Sequence, residues 1–443
     1  MKINYSTAKF VIAGAGETGR SIYNFLAYRG ANVLRVVDTR VIPPQWSEIE
    51  VIGGQLEYGN FVDADIIVIS PGVSIYEPVL QQALSHGKEV IGDVELFARE
   101  IRTWNAKVIA ITGSNGKTTV TSLTGFLGQQ AGIKTLIAGN IGLPVLDALR
   151  EIEQTHDYPQ LIVLELSSFQ LETLTSLQPI SATVLNISED HLDRYRDLLE
   201  YAYVKANIFN NCQIQVLNQD DPLVQSMRRD NCQQLYFAAS AAEYQLSHNA
   251  DKLLVEDQAI FTTENLQLVG KHNYLNVLAS LALLNGAGYS VEHFIPYLAE
   301  FAGLEHRMQK VCEHNGVLYI EDSKGTNVGA VIAGVGGINR PIHLILGGDG
   351  KGQDFLPLRE LVLTKCHSVA LIGQDAAQLA EILDGIPNVK SYATLELAVA
   401  ACVNQAKSGD AVILSPACAS WDMFKNYKHR AQVFIDAVHE YCN

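Results

Sequence analysis

The sequence predicts a three-domain α/β protein. Apolar strand-like runs alternate with helix-like stretches along its 443 residues, two of those runs open into glycine-rich turns, and the alternation breaks twice. With 48% apolar and 18% charged residues the chain has the material for a large core. Its length exceeds one ordinary core and divides into domains of about 100 to 200 residues.

Phe10–Ala13, Val33–Val37 and Ile66–Ile69 read as strands of a small doubly wound parallel unit covering residues 1–98. The pattern breaks around Ile101 to Lys107, and a second, mainly parallel unit, 99–303, opens with Val108–Thr112. It continues through Leu161–Leu166, Ala182–Asn186 and Ile214–Asn218 to a helix from about Asn273 to Gly286. In that helix Leu275, Leu278 and Ala282 share one face, which leaves the opposite side for polar groups. A third α/β unit, 304–443, carries strands His343–Leu346, Val369–Ile372 and Ala411–Leu414.

The net charge of −16, with no basic block, excludes nucleic acid as a general partner, so anionic ligands must be held by local devices. No apolar run approaches the roughly 20 residues of a membrane span, and Met1–Phe10 lacks the long apolar stretch of a signal peptide, so a cytoplasmic protein is expected. The seven cysteines (Cys212, Cys232, Cys312, Cys366, Cys402, Cys418, Cys442) are scattered, odd in number and never spaced CxxC. They read as reduced, buried thiols.

The sharpest motif is the apolar strand Ile109–Thr112 running into Gly113-Ser114-Asn115-Gly116-Lys117-Thr118-Thr119 at the start of a helix. Successive backbone N–H groups in such a turn, together with the helix N-terminus, make a nest for phosphate oxygens. Lys117 would meet the β/γ-phosphates and the Thr118 hydroxyl would hold Mg²⁺, giving a P-loop-type ATPase unit. The turn is GxxGKT, because Ile111 stands where the longer pattern has its first glycine. Gly14-Ala15-Gly16-Glu17-Thr18-Gly19 follows the first strand and Asp38 ends the second, the fingerprint of a Rossmann-like dinucleotide fold. That geometry holds any nucleotide diphosphate, so it identifies a pyrophosphate cradle and leaves hydride chemistry open. Two phosphate turns in successive domains suggest one enzyme using two nucleotides, one for energy and one as a handle on the substrate.

Glu165-Leu166-Ser167-Ser168-Phe169-Gln170 and Asn186-Ile187-Ser188-Glu189-Asp190-His191-Leu192-Asp193 stand at neighbouring strand ends. The carboxyl ends of parallel strands face one crevice, so Glu165 and His191 are candidate ligands for Mg²⁺ or Mn²⁺ beside ATP. Glu305-His306-Arg307 and Asp322-Ser323-Lys324-Gly325-Thr326-Asn327 open the third unit. Arg307 and Lys324 are placed to neutralise developing phosphate charge; a self-neutralising surface turn is the alternative.

Taken with His272-Asn273-Tyr274-Leu275-Asn276, these motifs resemble the Mur ligase family in order and spacing over nearly the whole chain. Val37-Asp38-Thr39-Arg40, Ser70-Pro71-Gly72, Gly139-Asn140-Ile141-Gly142, Gly347-Gly348-Asp349-Gly350-Lys351 and Leu414 to Ser420 bring it nearest to the D-glutamate-adding branch. The tetrapeptide DNPR of the diaminopimelate-adding branch is absent. The resemblance implies an N-terminal domain for the UDP moiety, a central ATPase domain and a mobile, Rossmann-like C-terminal domain for the amino acid.

By the same resemblance, Gly14, Thr18, Asp38, Thr39, Gly72 and Asn140 hold UDP-N-acetylmuramoyl-L-alanine. Gly113 to Thr119 hold ATP, with Asn273, Asn276, Arg307 and Asp322. Thr118, Glu165, His191 and Lys205 hold one or two Mg²⁺ ions, Lys205 matching a lysine that the family carbamylates. Lys117, Glu165, His191, Lys205, Arg307 and Lys324 surround the reaction, and Thr326, Lys351, Ser420 and Tyr427 bind D-glutamate through charge and hydroxyl donors. Trp421 and Gly325 depart from the pattern, which has a smaller apolar residue and an alanine there.

The implied reaction is ATP-dependent amide formation through an acyl phosphate, in peptidoglycan precursor synthesis, by a monomer. The rivals are a sister Mur enzyme, a folylpolyglutamate synthetase, a nicotinamide-dependent oxidoreductase built on Gly14 to Gly19, and a nucleotide sensor without catalysis.

Overall fold

The apolar runs of the N-terminal region become β1 (Lys9–Ala13), β2 (Asn32–Asp38), β3 (Val51–Gly53), β4 (Ile66–Ile69) and β5 (Glu89–Gly92). They pair in parallel in the order β3-β2-β1-β4-β5. The chain moves outward from β1 to β3, then crosses back to β4. The carboxyl ends of β1 and β4 therefore flank the crevice where strand order reverses, the place where such sheets bind ligands.

A second sheet uses β6 (Lys107–Thr112), β7 (Thr135–Gly139), β8 (Leu161–Glu165), β9 (Ser181–Val184), β10 (Ile214–Asn218) and β11 (Gln233–Ala238). Their order is β11-β10-β9-β6-β8-β7, parallel throughout, with the reversal at β6. Phe10–Ala13, Ile109–Ile111 and Leu161–Leu164 are wholly buried. Burial on both faces is why these strands read as unbroken apolar runs rather than alternations.

The structure is a computed structural model describing residues 3–191 and 194–442. Both sheets above belong to one compact unit, Met1–Tyr244 with Leu278–Pro296; the other unit is Gln245–Val277 with Tyr297–Asn443. Within the first, helix Glu17–Tyr28 buries Ile22, Phe25 and Leu26, and helix Val145–Thr155 buries Val145, Leu146 and Leu149, all in one core. Each such side chain contributes about 1.5–3 kcal/mol. Arg29 adds a part-buried link, 2.6 Å from Glu100 and 2.7 Å from Glu153. The two sheets thus share one packed body.

The second unit has an antiparallel hairpin, Lys252–Val255 with Gln258–Thr262, and a six-stranded sheet. In spatial order its strands are Gln309–His314, Val317–Glu321, Ala411–Leu414, Ile342–Gly347, Cys366–Ile372 and Val389–Ser391. Only the first pair is antiparallel. Leu344, Leu346 and Leu371 pack on one face and Ile345, Ala370 and Leu414 on the other.

The predicted helix near Asn273 runs from Lys271 to Gly286. Its polar side, Asn273, Asn276 and Ser280 at i, i+3 and i+7, is itself buried, and Val277, Leu278, Ala279, Leu281, Ala282 and Leu283 are fully buried as well. Ser181 Oγ donates to Leu283 O at 2.8 Å, so the carboxyl half of the helix sits within the first unit. All seven cysteines are free thiols. Among the described residues no helix is long and apolar enough to cross a membrane.

Candidate active site

Beyond β6 the chain turns through Gly116, whose φ of 84° suits glycine, and enters helix Lys117–Gln130. Lys117 Nζ rests on its own turn, donating to Gly113 O at 2.8 Å and Ser114 O at 2.9 Å. A triphosphate offers that ammonium stronger, charged acceptors in the same nest. The turn is braced from behind. Ser114 N donates to Asn186 O at 2.9 Å, Asn115 N to Asn186 Oδ1 at 2.8 Å and Ser188 N to Ser114 Oγ at 2.9 Å. Asp221 in turn holds Ile187 N at 2.8 Å with one carboxylate oxygen while the other caps helix Pro222–Gln225.

Glu165 ends β8 in register with Ile111 of β6 and Gly139 of β7, which brings it beside the turn. It is buried, and Oε1 accepts from Asn140 Nδ2 at 2.9 Å. Oε2 is buried with no hydrogen-bond partner among the described residues. A bare anionic oxygen is costly to bury. This one therefore fits a hard divalent cation, which takes carboxylate oxygen.

Lys205, on helix Leu198–Ala206, is 1% exposed. Its Nζ lies 3.2 Å from Thr112 Oγ1, 3.0 Å from Gly113 O and 4.6 Å from the Tyr201 ring centroid. Burial, aided by the charge of Lys117, holds its pKa well below the ordinary lysine value; Asp190 and Glu165 oppose this. His191 is half-exposed at a φ of 54°, a left-handed conformation uncommon for a residue with a side chain. Its ring packs 4.8 Å from Phe169 and 6.4 Å from Tyr201. Leu192 and Asp193 of the same motif lie outside the described residues.

At the crevice of the first sheet a cavity of about 540 Å³ opens. Gly14, Thr18, Asp38, Thr39, Gly72 and Asn140 all line it. Gly19 lets the helix close on the turn, because a Cβ there would stand 1.8 Å from Gly14 O. Asp38 is fully engaged: Oδ2 accepts from Ala15 N at 2.7 Å, and Arg40 pairs with both oxygens at 2.7 and 2.8 Å. The Arg40 pairing, above all, depresses its pKa to about 2. Asp38 thus shapes the turn as a fixed anion. Through Asn140, which lines the cavity and donates to Glu165, this pocket joins the phosphate turn.

In the second unit Asp322 is buried, accepting from Met308 N at 3.1 Å and Ser415 Oγ at 2.6 Å. Burial raises its pKa to about 7. Lys324 Nζ sits 4.1 Å over the Tyr427 ring, and His306, bonded to buried Glu321 at 2.9 Å, packs 5.7 Å from the same ring. Ser420 is buried and Lys351 exposed. Their turns are held near Thr326: Ala417 N donates to Gly325 O at 2.9 Å, and Asp349 pairs with Ala419. Asn276 Nδ2 donates to Asn273 Oδ1 at 3.2 Å, and Asn273 Nδ2 to Val269 O at 2.8 Å. The departure at Gly325 has a local cause, since an added methyl would meet Asp322 Oδ2 at 2.5 Å. Trp421 is exposed.

Several organising residues escaped the sequence reading. Arg194 pairs with buried Glu172 at 2.5 Å, donates to Pro71 O at 3.1 Å and lies 4.1 Å over Phe169, so it ties the cavity wall to the His191 loop. In the second unit, fully buried Arg430 donates to Ser323 O at 2.9 Å and Cys418 O at 3.1 Å. Gln353 joins Val328 N, at 3.0 Å, to Ala417 O, at 2.7 Å. A buried arginine was the one available signal, and sequence alone does not reveal burial.

Residues 8–92 match the Mur ligase MurD-like N-terminal domain, 111–284 the Mur ligase middle domain and 306–418 the Mur ligase glutamate ligase domain. The chain belongs to the Mur ligase family. Among curated relatives, the UDP-N-acetylmuramoylalanine--D-glutamate ligase of Chromobacterium violaceum is 46% identical, over 98% of both chains. That of Methylobacillus flagellatus is also 46% identical, over 97% of this chain and 96% of its own. The fold is shared with the MurF ligase of Thermotoga maritima, solved in complex with ADP, at a TM-score of 0.63, 16% identity and full coverage of both chains.

Proposed function

We infer that this chain joins D-glutamate to UDP-N-acetylmuramoyl-L-alanine at the expense of ATP, a step of peptidoglycan precursor synthesis and hence of wall growth, cell shape and division. One observation carries the reading. The cavity lined by Gly14, Thr18, Asp38, Thr39, Gly72 and Asn140 meets, through Asn140, a buried carboxylate beside the Lys117 turn. A nucleotide-tethered carboxyl group and a triphosphate are thereby served by adjacent strand ends.

In this reading residues 1–98 take the UDP-linked substrate, 99–303 the ATP and 304–443 the amino acid. The alanyl carboxylate oxygen attacks the γ-phosphorus, ADP leaves, and an acyl phosphate forms. The D-glutamate amine then attacks the acyl carbon, inorganic phosphate departs, and the amine's surplus proton is lost. A carboxylate is a poor acylating agent until phosphorylation supplies a leaving group.

Gly113 to Thr119 orient the triphosphate by backbone N–H groups and Lys117 neutralises its charge. Asn273, Asn276, Arg307, Asp322 and Lys324 are assigned to ATP and the acyl phosphate. Thr326, Lys351, Ser420 and Tyr427 are assigned to D-glutamate. Mg²⁺, for which Mn²⁺ can substitute, would be held by Thr118, Glu165 and His191 and would polarise phosphoryl oxygens. The Oε2 of Glu165, buried without a hydrogen-bond partner among the described residues, supports it. Lys205 is assigned to the same set as a carbamate. Its depressed pKa favours the neutral amine that adds carbon dioxide, and the product is a carboxylate able to face a cation. The enzyme is proposed to act as a cytoplasmic monomer.

Release of ADP is to be assayed with UDP-N-acetylmuramoyl-L-alanine and, in turn, D-glutamate, L-glutamate, L-lysine and diaminopimelate. Turnover with D-glutamate alone is expected. Turnover with another amino acid and none with D-glutamate would refute the assignment.

A further inference from the structure

The sheet of the second unit has two ends. Asp322, Lys324, Thr326, Lys351, Ser420 and Tyr427, assigned to the reaction, lie beyond the carboxyl ends of its strands, after Glu321, Gly347 and Leu414. At the opposite end three adjacent parallel strands start side by side: Ala411–Leu414, Ile342–Gly347 and Cys366–Ile372, with Ile342 in register with both Ala411 and Cys366. Asp410, His343 and His367 stand at those starts. One ligand atom from each lies within 4.8 Å of the others, the only such grouping among the described residues. They line a cavity of about 480 Å³ together with Cys366 and Lys407.

The geometry is that of an oriented site. His343 is buried, and its Nδ1 meets Ser368 Oγ at 2.7 Å, which leaves Nε2 pointing at Asp410 Oδ2, 3.1 Å away. A hydrogen bond at the distal ring nitrogen is the usual way a ligating histidine is aimed, and here the Ser368 hydroxyl supplies it. Asp410 is buried and steadied by Lys407 N at 2.8 Å. The His367 ring stands at 88° to that of His343, their centroids 6.2 Å apart, and is exposed, so the third ligand is reachable from solvent. Two imidazoles and a carboxylate suit a borderline 3d cation such as Zn²⁺, with a fourth position for water. Magnesium and calcium, which prefer oxygen, are poorly served.

We propose that His343, His367 and Asp410 form a second cation site, specific for zinc-like transition metals and at the opposite end of these strands from the residues assigned to the reaction. It spans three strands, so its occupancy would clamp the amino ends of the sheet.

The test uses the full-length protein, stripped with chelator and titrated with Zn²⁺ in millimolar Mg²⁺, comparing wild type with His367→Ala, Asp410→Asn and Ser368→Ala. Any zinc bound near Glu165 is common to all four and cancels in the comparison. Wild type is expected to bind one more equivalent than His367→Ala, with a zinc-dependent rise in thermal midpoint that the variant lacks. Ser368→Ala is expected to bind that equivalent about tenfold more weakly. His367 is exposed, so its variant should keep the fold and the ligase rate. Asp410→Asn checks the buried carboxylate. Equal zinc stoichiometry and affinity in wild type, His367→Ala and Asp410→Asn would overturn the proposal.

Discussion

The two glycine turns of the first unit look alike in sequence and differ in electrostatics. At Gly14 to Gly19 the carboxylate of Asp38 is bound on both oxygens by Arg40 and on one by the Ala15 N–H. That carboxylate is neutralised before any ligand arrives. At Gly113 to Thr118, Lys117 leans on loop carbonyls, Lys205 is buried, and Glu165 has an oxygen with no hydrogen-bond partner among the described residues. That turn offers an ammonium to a polyanion and a carboxylate oxygen to a cation. One turn is built to hold and the other to react, a difference the glycine spacing does not reveal.

Breaking that contrast should produce graded effects. Lys117→Ala should cut the rate of ADP release about 10²- to 10³-fold while the UDP-linked substrate still binds, as calorimetry can check. Among the described residues, Arg194→Ala leaves the buried carboxylate of Glu172 with the Tyr195 hydroxyl, 2.8 Å away, as its one hydrogen-bond partner. It should lower stability by about 3 kcal/mol, read in denaturant unfolding, and raise KM for the UDP-linked substrate because Pro71 loses its anchor. Asp38→Asn should act on the holding turn alone, raising that KM by about tenfold with kcat nearly unchanged. An equal loss in kcat would erase the distinction between the turns.

The second unit sharpens the comparison through pH. The pKa of Asp322 is raised from 3.8 to about 7. The unfolded chain therefore releases that proton at lower pH than the folded one does. Folded-state stability from this group is fully present below about pH 4 and is lost as pH rises through about 7. Thermal midpoints of wild type should accordingly fall relative to Asp322→Asn across that window.

What was legible in the sequence was local. Gly113 to Thr119 and Gly14 to Gly19 declare themselves because a phosphate nest is made by consecutive backbone groups, and Glu165 because it ends an apolar strand. Residues whose partners arrive from other strands were invisible. Arg194 resembles a surface charge in Asp193-Arg194-Tyr195-Arg196, yet it braces Pro71. Asp221 and Gln353 are ordinary polar residues until the fold sets them between loops. The helix Lys271–Gly286 misled in the other direction. Periodicity finds one apolar face, while packing also buries the polar side that Asn273, Asn276 and Ser280 form.

The account rests on transfer of the γ-phosphoryl group to the substrate carboxylate at the Lys117 turn. Substrate labelled with ¹⁸O in the alanyl carboxylate tests this directly, by mass spectrometry of the released phosphate. Phosphorylation of that carboxylate predicts one labelled oxygen in each phosphate, left behind when the D-glutamate amine displaces it. Unlabelled phosphate, with both labelled oxygens outside it, would contradict the account.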